Sequence, residues 1–129
     1  MDAFDSDVLI YAAGRDPRGD EVARLIAAAA QSRPGIGSVV LVSEVLGAPS
    51  ARVNPAEQQR RINILANLDL KDVDYETADL AGTLRAKYRL KTPDALHLAT
   101  AVLWGADRFH TNNSKDFGQH IEEIEIVFP

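Results

Sequence analysis

Apolar positions along this chain follow two rhythms: short β-rich runs bounded by turn residues, and longer stretches recurring at helical spacing. Phe4-Asp5-Ser6-Asp7-Val8-Leu9-Ile10-Tyr11 sets polar residues between an apolar start and an apolar run. That predicts a short strand, a polar turn, and a helix through Ala13 stopped by Gly14. Asp16-Pro17-Arg18-Gly19 is turn chemistry. Val22, Leu25, Ile26 and Ala29 then recur at helical spacing, so an amphipathic helix is expected over 20–31, with Glu21 and Arg24 on its wet side.

A loop at 32–35 leads to a strand near Ile36 and a helix from about Ser38 to Gly47, with Pro49 just beyond it. Glu44 falls inside that helix. Asn54-Pro55-Ala56-Glu57 predicts a capped helix start, with Ile62 and Leu65 marking the buried stripe. Alternation over 68–73 predicts a strand near one sheet edge, its acids facing solvent. From Thr77 to Tyr88 a helix is expected, with Leu80, Ala81, Leu84 and Tyr88 on one face.

Thr92-Pro93-Asp94 opens the clearest helix, with Thr92 as N-cap, Pro93 in the first helical position and an acid in the first turn. Its body, Ala95 to Trp104, is almost wholly apolar, so this helix should be central. Gly105 ends it, Arg108-Phe109-His110 reads as a short strand, residues 111–117 as a polar loop, and Ile124 to Phe128 as a final edge strand. Short strands alternating with helices predict an α/β domain spanning 1–129, a mainly parallel sheet covered on both faces.

Composition narrows the chemistry. The chain has no cysteine, which excludes disulfide scaffolds, iron-sulfur clusters and thiol nucleophiles. A net charge of −5 argues against generic polyanion binding, so any nucleic-acid contact must be local. No apolar stretch approaches the ~18 residues of a membrane span. Asp2, Asp5 and Asp7 stand where a secretory signal would carry a basic region, so a cytoplasmic address is expected.

Under this layout Asp5, Asp7 and Asp116 lie at the carboxyl ends of strands, while Glu44 and Asp94 sit on helices entering the same side of the sheet. Crowded carboxylates raise one another's pKa unless something neutralises them. A divalent cation does so, and all-oxygen ligation suits Mg²⁺ or Mn²⁺. Each acid also has a structural explanation: Asp7 suits a helix N-cap, Asp94 suits a first turn, and loops collect residues such as Asp116 for turn reasons. Glu44 is different, because a charge flanked by Val40, Leu41, Val42, Val45 and Leu46 has no cheap structural reason to be there.

Asp5-Ser6-Asp7-Val8-Leu9-Ile10-Tyr11, Ser43-Glu44-Val45, the stretch from Thr92 to Ala101, and Thr111-Asn112-Asn113-Ser114-Lys115-Asp116-Phe117, in that order, resemble the PIN-domain family, particularly VapC-like toxins of toxin-antitoxin pairs. The resemblance implies a Mg²⁺- or Mn²⁺-dependent ribonuclease on a five-stranded parallel sheet in a three-layer α/β/α fold. It also implies a homodimer and a small antitoxin partner. By position, Asp5, Glu44, Asp94 and Asp116 match the family's acidic metal-binding set, and Ser6, Thr111 and Asn113 match polar positions beside it. Many members carry Asp where this chain has Asn113. Asp7 stands where Asn or a small polar residue is common, and it either touches metal or caps the helix.

His97 lies one turn after Asp94 on the same helix face and reads chiefly as a packed core residue. Arg85, Lys87, Arg89 and Lys91 immediately precede Asp94; they either guide RNA phosphates toward it or form a solvated helix end. Asp5-Ser6-Asp7 alone also resembles the opening of haloacid-dehalogenase-type phosphatases, but Val8-Leu9-Ile10 continues apolar where that family expects Gly and Thr. A catalytically silent PIN-like binding module is the other alternative.

Overall fold

The first strand divides the core. In β1 (Asp2–Phe4), successive side chains point to opposite faces of the sheet, so Ala3 joins one apolar cluster and Phe4 the other. The computed structural model describes residues 1–48 and 54–129. Pro49, expected just beyond a helix end, lies outside the described residues.

After β1 come α1 (Ser6–Ala13), a 3-10 turn at Pro17–Gly19 and α2 (Asp20–Ala29). The chain continues through β2 (Ile36–Ser38), α3 (Val40–Leu46), α4 (Pro55–Ala66) and β3 (Asp69–Lys71). It ends with α5 (Tyr75–Tyr88), α6 (Thr92–Leu103), β4 (Arg108–His110) and β5 (Glu125–Val127). The five strands form one parallel sheet in the order β3-β2-β1-β4-β5. Strands 2 and 3 lie to one side of β1 and strands 4 and 5 to the other. The crevice above the carboxyl ends at this reversal is where open α/β sheets bind ligands.

Helices cover both faces, giving the expected three layers. Phe4 packs with Val8, Leu9, Val22, Ile26, Leu41, Val45 and Leu65 from the first four helices. On the opposite face, Leu84 of α5 and Ala95, Leu98 and Ala99 of α6 pack on Ile36, Phe109 and Ile126 of the sheet. As expected, α6 is the most buried helix, and β3 is an edge strand with Asp69 exposed. Among the described residues, no helix is long and apolar enough to cross a membrane.

Three local expectations are corrected. On α4 the inward positions are Arg61 and Leu65, while Ile62 is 42% exposed. Arg61 is fully buried because its Nη1 donates to the Val45 carbonyl at 2.9 Å, near the α3 C-terminus, with Nη2 3.7 Å from Glu57. A guanidinium that satisfies an end-of-helix carbonyl turns its helix face inward and the neighbouring Ile62 out. Second, α5 starts at Tyr75 because Asp74 caps it, accepting from the Thr77 backbone N–H and hydroxyl at 2.9 and 2.7 Å. Third, Lys91, not Thr92, is the extended cap residue of α6. Thr92 and Pro93 are the first two helical residues, where a proline forfeits no helical hydrogen bond, and Asp94 stays in the first turn.

Candidate functional site

Asp5 follows β1 directly and is only 4% exposed. Its backbone N–H continues the sheet by donating to the His110 carbonyl at 2.9 Å, and Thr111 continues β4 by donating to Val127 at 3.0 Å. Asp5 and Thr111 therefore leave the ends of adjacent strands together. The Thr111 hydroxyl, fully buried, donates to Asp5 Oδ2 at 2.9 Å and accepts the Asn113 N–H at 3.0 Å. Asp5 Oδ1 accepts the Ser6 N–H at 2.8 Å, which makes Asp5 the cap of α1.

The capping reading of Asp7 is thereby corrected. Asp7 lies inside the first turn, accepting the Val8 N–H at 2.7 Å through one oxygen and the Asn112 N–H at 3.0 Å through the other. It thus ties the start of α1 to the loop after β4. In that loop Asn113 and Asp116 bond reciprocally: Asn113 Nδ2 donates to Asp116 Oδ2 at 3.0 Å, and the Asp116 N–H donates to Asn113 Oδ1 at 3.2 Å. Asn113 therefore serves here as a support for Asp116.

Glu44 and Asp94 reach this edge from opposite layers, on α3 and α6. His97, buried on α6, sets Nε2 against Glu44 Oε1. The core position expected of His97 is correct, but its contact with Glu44 was not foreseen. The signal available was its place one turn after Asp94, which puts both on one face.

The acids feel one another. Burial pushes the Asp5 carboxyl above its ordinary pKa and the Asp94 charge adds to this, while His97, the Ser6 N–H and the Thr111 hydroxyl act in the opposite direction. Burial, then the charges of Asp116 and Glu44, push Asp94 up against the pull of His97 and Lys91. Asp7 is pushed up to about 6 by burial and by Asp5. Four acids from separate stretches, Asp5, Glu44, Asp94 and Asp116, thus share one electrostatic neighbourhood.

Among the described residues, no three His, Asp or Glu side chains are gathered tightly enough to form a closed cage for a metal ion. The arrangement suits a looser holding, with one or two carboxylates and a shell completed by water, the common habit of Mg²⁺. The raised proton affinities of Asp5, Asp7 and Asp94 fit such an ion, because a cation relieves the repulsion that contributes to them.

The basic run divides. Lys87 pairs with Glu123 at 3.1 Å and is tied to the fold. Arg85, Arg89 and Lys91 are exposed, and Lys91, at the cap of α6, is the one whose charge acts on Asp94.

The PIN-domain family model matches residues 3–120. Ribonuclease VapC46 of Mycobacterium tuberculosis (strain ATCC 25618 / H37Rv) is 36% identical over 104 residues, 81% of this chain and 76% of that protein. Among solved structures, VapBC2 from Rickettsia felis bound to a DNA fragment from their promoter aligns with a TM-score of 0.72 at 20% identity, covering 98% of this chain and 96% of that one. A toxin-antitoxin complex from Klebsiella pneumoniae aligns with a TM-score of 0.67 at 28% identity, covering 98% and 100%.

Proposed function

The chain belongs to the PIN-domain family, and we propose that it is a Mg²⁺- or Mn²⁺-dependent endoribonuclease, the toxin of a toxin-antitoxin pair. The observation that carries this reading is the convergence of Asp5, Glu44, Asp94 and Asp116 at the carboxyl edge of the sheet, where their charges act on one another. Similarity to Ribonuclease VapC46 supports the choice of substrate class, and the resemblance to two toxin-antitoxin structures supports a small antitoxin partner. The protein acts in the cytoplasm as a homodimer.

Of Asp5, Glu44, Asp94 and Asp116, one or two would hold the ion directly and the others would act through the water that completes its shell. When bound, it supplies a hydroxide from coordinated water and offsets charge on the phosphoryl oxygens. The protein's own part is positioning. Thr111 and the Ser6 N–H fix both oxygens of Asp5, His97 holds Glu44, and Asn113 holds Asp116. The Asp94 carboxylate accepts no hydrogen bond from the described residues, which leaves both its oxygens for the ion. Asp7 keeps the 111–117 loop docked on α1 through Asn112. Lys91 stands at the entrance as the guide for an RNA phosphate.

The test is RNA cleavage by purified wild type, Asp5→Asn and Asp94→Asn, with and without Mg²⁺ or Mn²⁺, folding being checked by circular dichroism. Cleavage by wild type only with metal, and by neither variant, is expected. Undiminished cleavage in either variant would overturn the metal site. Silence of the wild type across a broad RNA panel would favour a binding module, and turnover of a small phosphomonoester with RNA left whole would favour a phosphatase.

A further inference from the structure

Arg18 is held more firmly than a surface arginine needs to be. Its Nε and Nη2 donate to the two oxygens of Asp16 at 3.1 and 2.7 Å, and Nη1 donates to the Tyr11 hydroxyl at 3.2 Å. The guanidinium carbon also lies over the Tyr11 ring, 3.9 Å from its centre. The turn that carries Arg18 is equally fixed. Asp16 accepts the Arg18 backbone N–H at 2.9 Å, and Pro17 has a locked φ. At Gly19 an added Cβ would come within 2.1 Å of the Ala12 nitrogen, so the missing side chain lets this turn press onto α1 and bring Arg18 over Tyr11.

An exposed ion pair of this kind adds little stability, and holding a long side chain in one geometry costs entropy. What the contacts achieve is a fixed plane. Three of the five guanidinium N–H groups are spent on Asp16 and Tyr11. Asp16 also balances the charge, so Arg18 is poorly placed to clamp a phosphate. Its side chain is nonetheless 59% exposed. With its edge on Asp16 and one face on the ring, it shows its other face to solvent. A flat, immobile guanidinium with an open face is a surface on which a nucleobase stacks.

The position fits the site. Tyr11 follows Asp7 by four residues, so both lie on one face of α1, about one helical turn apart. Helical side chains lean toward the N-terminus, which tilts the Tyr11 ring, with Arg18 on it, toward Asp7 and the edge where the acids gather. One turn is within the span of a single nucleotide. We propose that the Arg18 guanidinium, seated on Tyr11, stacks the base of a nucleotide flanking the scissile phosphate. This rests on the ribonuclease reading above and adds a base contact to it. Every base has a π-face, so the contact tolerates any of them, and the larger face of a purine should bind best.

Binding of metal-free protein to a fluorescent RNA hexamer, read by anisotropy, tests this apart from cleavage. One abasic ribose is moved through the oligomer position by position. Wild type should lose about 5- to 50-fold in affinity when the missing base is the one that stacks on Arg18. Arg18→Lys keeps the charge but not the plane. It should bind the intact RNA more weakly by the same factor, at low and high salt alike, because screening acts on charges and not on stacked planes. It should also no longer respond to the abasic position. Circular dichroism checks that this exposed substitution leaves the fold intact.

Arg18→Lys binding as tightly as wild type, or a loss that fades as salt rises, would overturn the stacking. So would an abasic penalty that persists in Arg18→Lys, or a wild type indifferent to every abasic position. In all four cases metal-dependent cleavage by the wild type would leave the proposed function standing. A wild type that neither binds nor cleaves RNA would overturn both.

Discussion

His97 on α6 sets Nε2 against the Glu44 carboxylate on α3, joining the two helical layers across the carboxyl edge of the sheet. His97 Nδ1 is buried with no hydrogen-bond partner among the described residues. A lone pair left unpaired costs less than an N–H left unpaired, so in the neutral ring the proton belongs on Nε2, where it can be donated to Glu44.

His97→Leu should therefore leave the fold largely intact but free Glu44, whose side chain is 30% exposed and can turn to water. Cleavage should fall roughly 10- to 100-fold, the usual cost of losing a group that orients a metal ligand. Mn²⁺ affinity, measured by electron paramagnetic resonance, should weaken in parallel. His97→Gln, which keeps a donor of similar reach, should recover part of both. Equal Mn²⁺ affinity in wild type and His97→Leu would show that His97 is only a core residue.

The acids set a pH dependence. Asp7 has a folded pKa of about 6 against an ordinary 3.8, and Asp5 and Asp94 are raised as well. A carboxyl whose folded pKa is raised favours the folded state most while protonated. That contribution is complete below pH about 4 and is lost as pH rises through about 6. Metal-free protein should lose on the order of 1–2 kcal/mol between these limits, after allowing for solvent screening. Millimolar Mg²⁺ or Mn²⁺ should flatten the trend by binding the folded state. Melting curves at several pH values, with EDTA or with metal, measure both, and curves that coincide would count against an ion among these acids.

Much of this layout was legible because strand ends and helix starts carry strong local signals. Asp5 after an apolar strand, Asp94 behind a proline and Asp116 in a polar loop each announce their element, and parallel order brings such ends to one edge. Glu44 was legible as a charge in an apolar helix. The rest depends on which helix faces meet, and periodicity does not encode that. Arg61 replaces Ile62 on the inner face of α4 because a carbonyl on α3 awaits it, and Asp7 reaches Asn112 across 105 residues of sequence. Asp5 took the capping role expected of Asp7 because the helix begins one residue after it.

Arg61 should consequently matter more to stability than the isoleucine beside it. Arg61→Leu removes the donor to the Val45 carbonyl in a buried setting and should cost about 1–3 kcal/mol in urea unfolding. Ile62→Ser, at an exposed position, should stay within about 0.5 kcal/mol of wild type. The reverse order would mean that α4 is rotated from the orientation described.

Thr111 joins stability to the site through one hydroxyl, which donates to Asp5 and accepts from the Asn113 N–H. Thr111→Val keeps the shape and removes both bonds, so it should destabilise by about 1–2 kcal/mol and slow cleavage. Thr111→Ser should restore most of the cleavage while losing some packing. If valine and serine slow cleavage alike, the hydroxyl is not what positions Asp5.

Lys91 and Lys87 separate guidance of RNA from a charged helix end. Lys87 is held by Glu123, whereas Lys91 is exposed at the cap of α6 and acts on Asp94. Lys91→Glu should slow cleavage about tenfold at low salt, because it removes a phosphate contact and adds repulsion. For a single strand, losing one such contact should lower the slope of log affinity against log salt by about 0.7. Lys87→Glu breaks a surface pair of small worth and should leave RNA affinity close to wild type. Measuring binding of metal-free protein to a short RNA at several salt concentrations separates these effects from cleavage. An unchanged slope in Lys91→Glu would remove this residue from the RNA path.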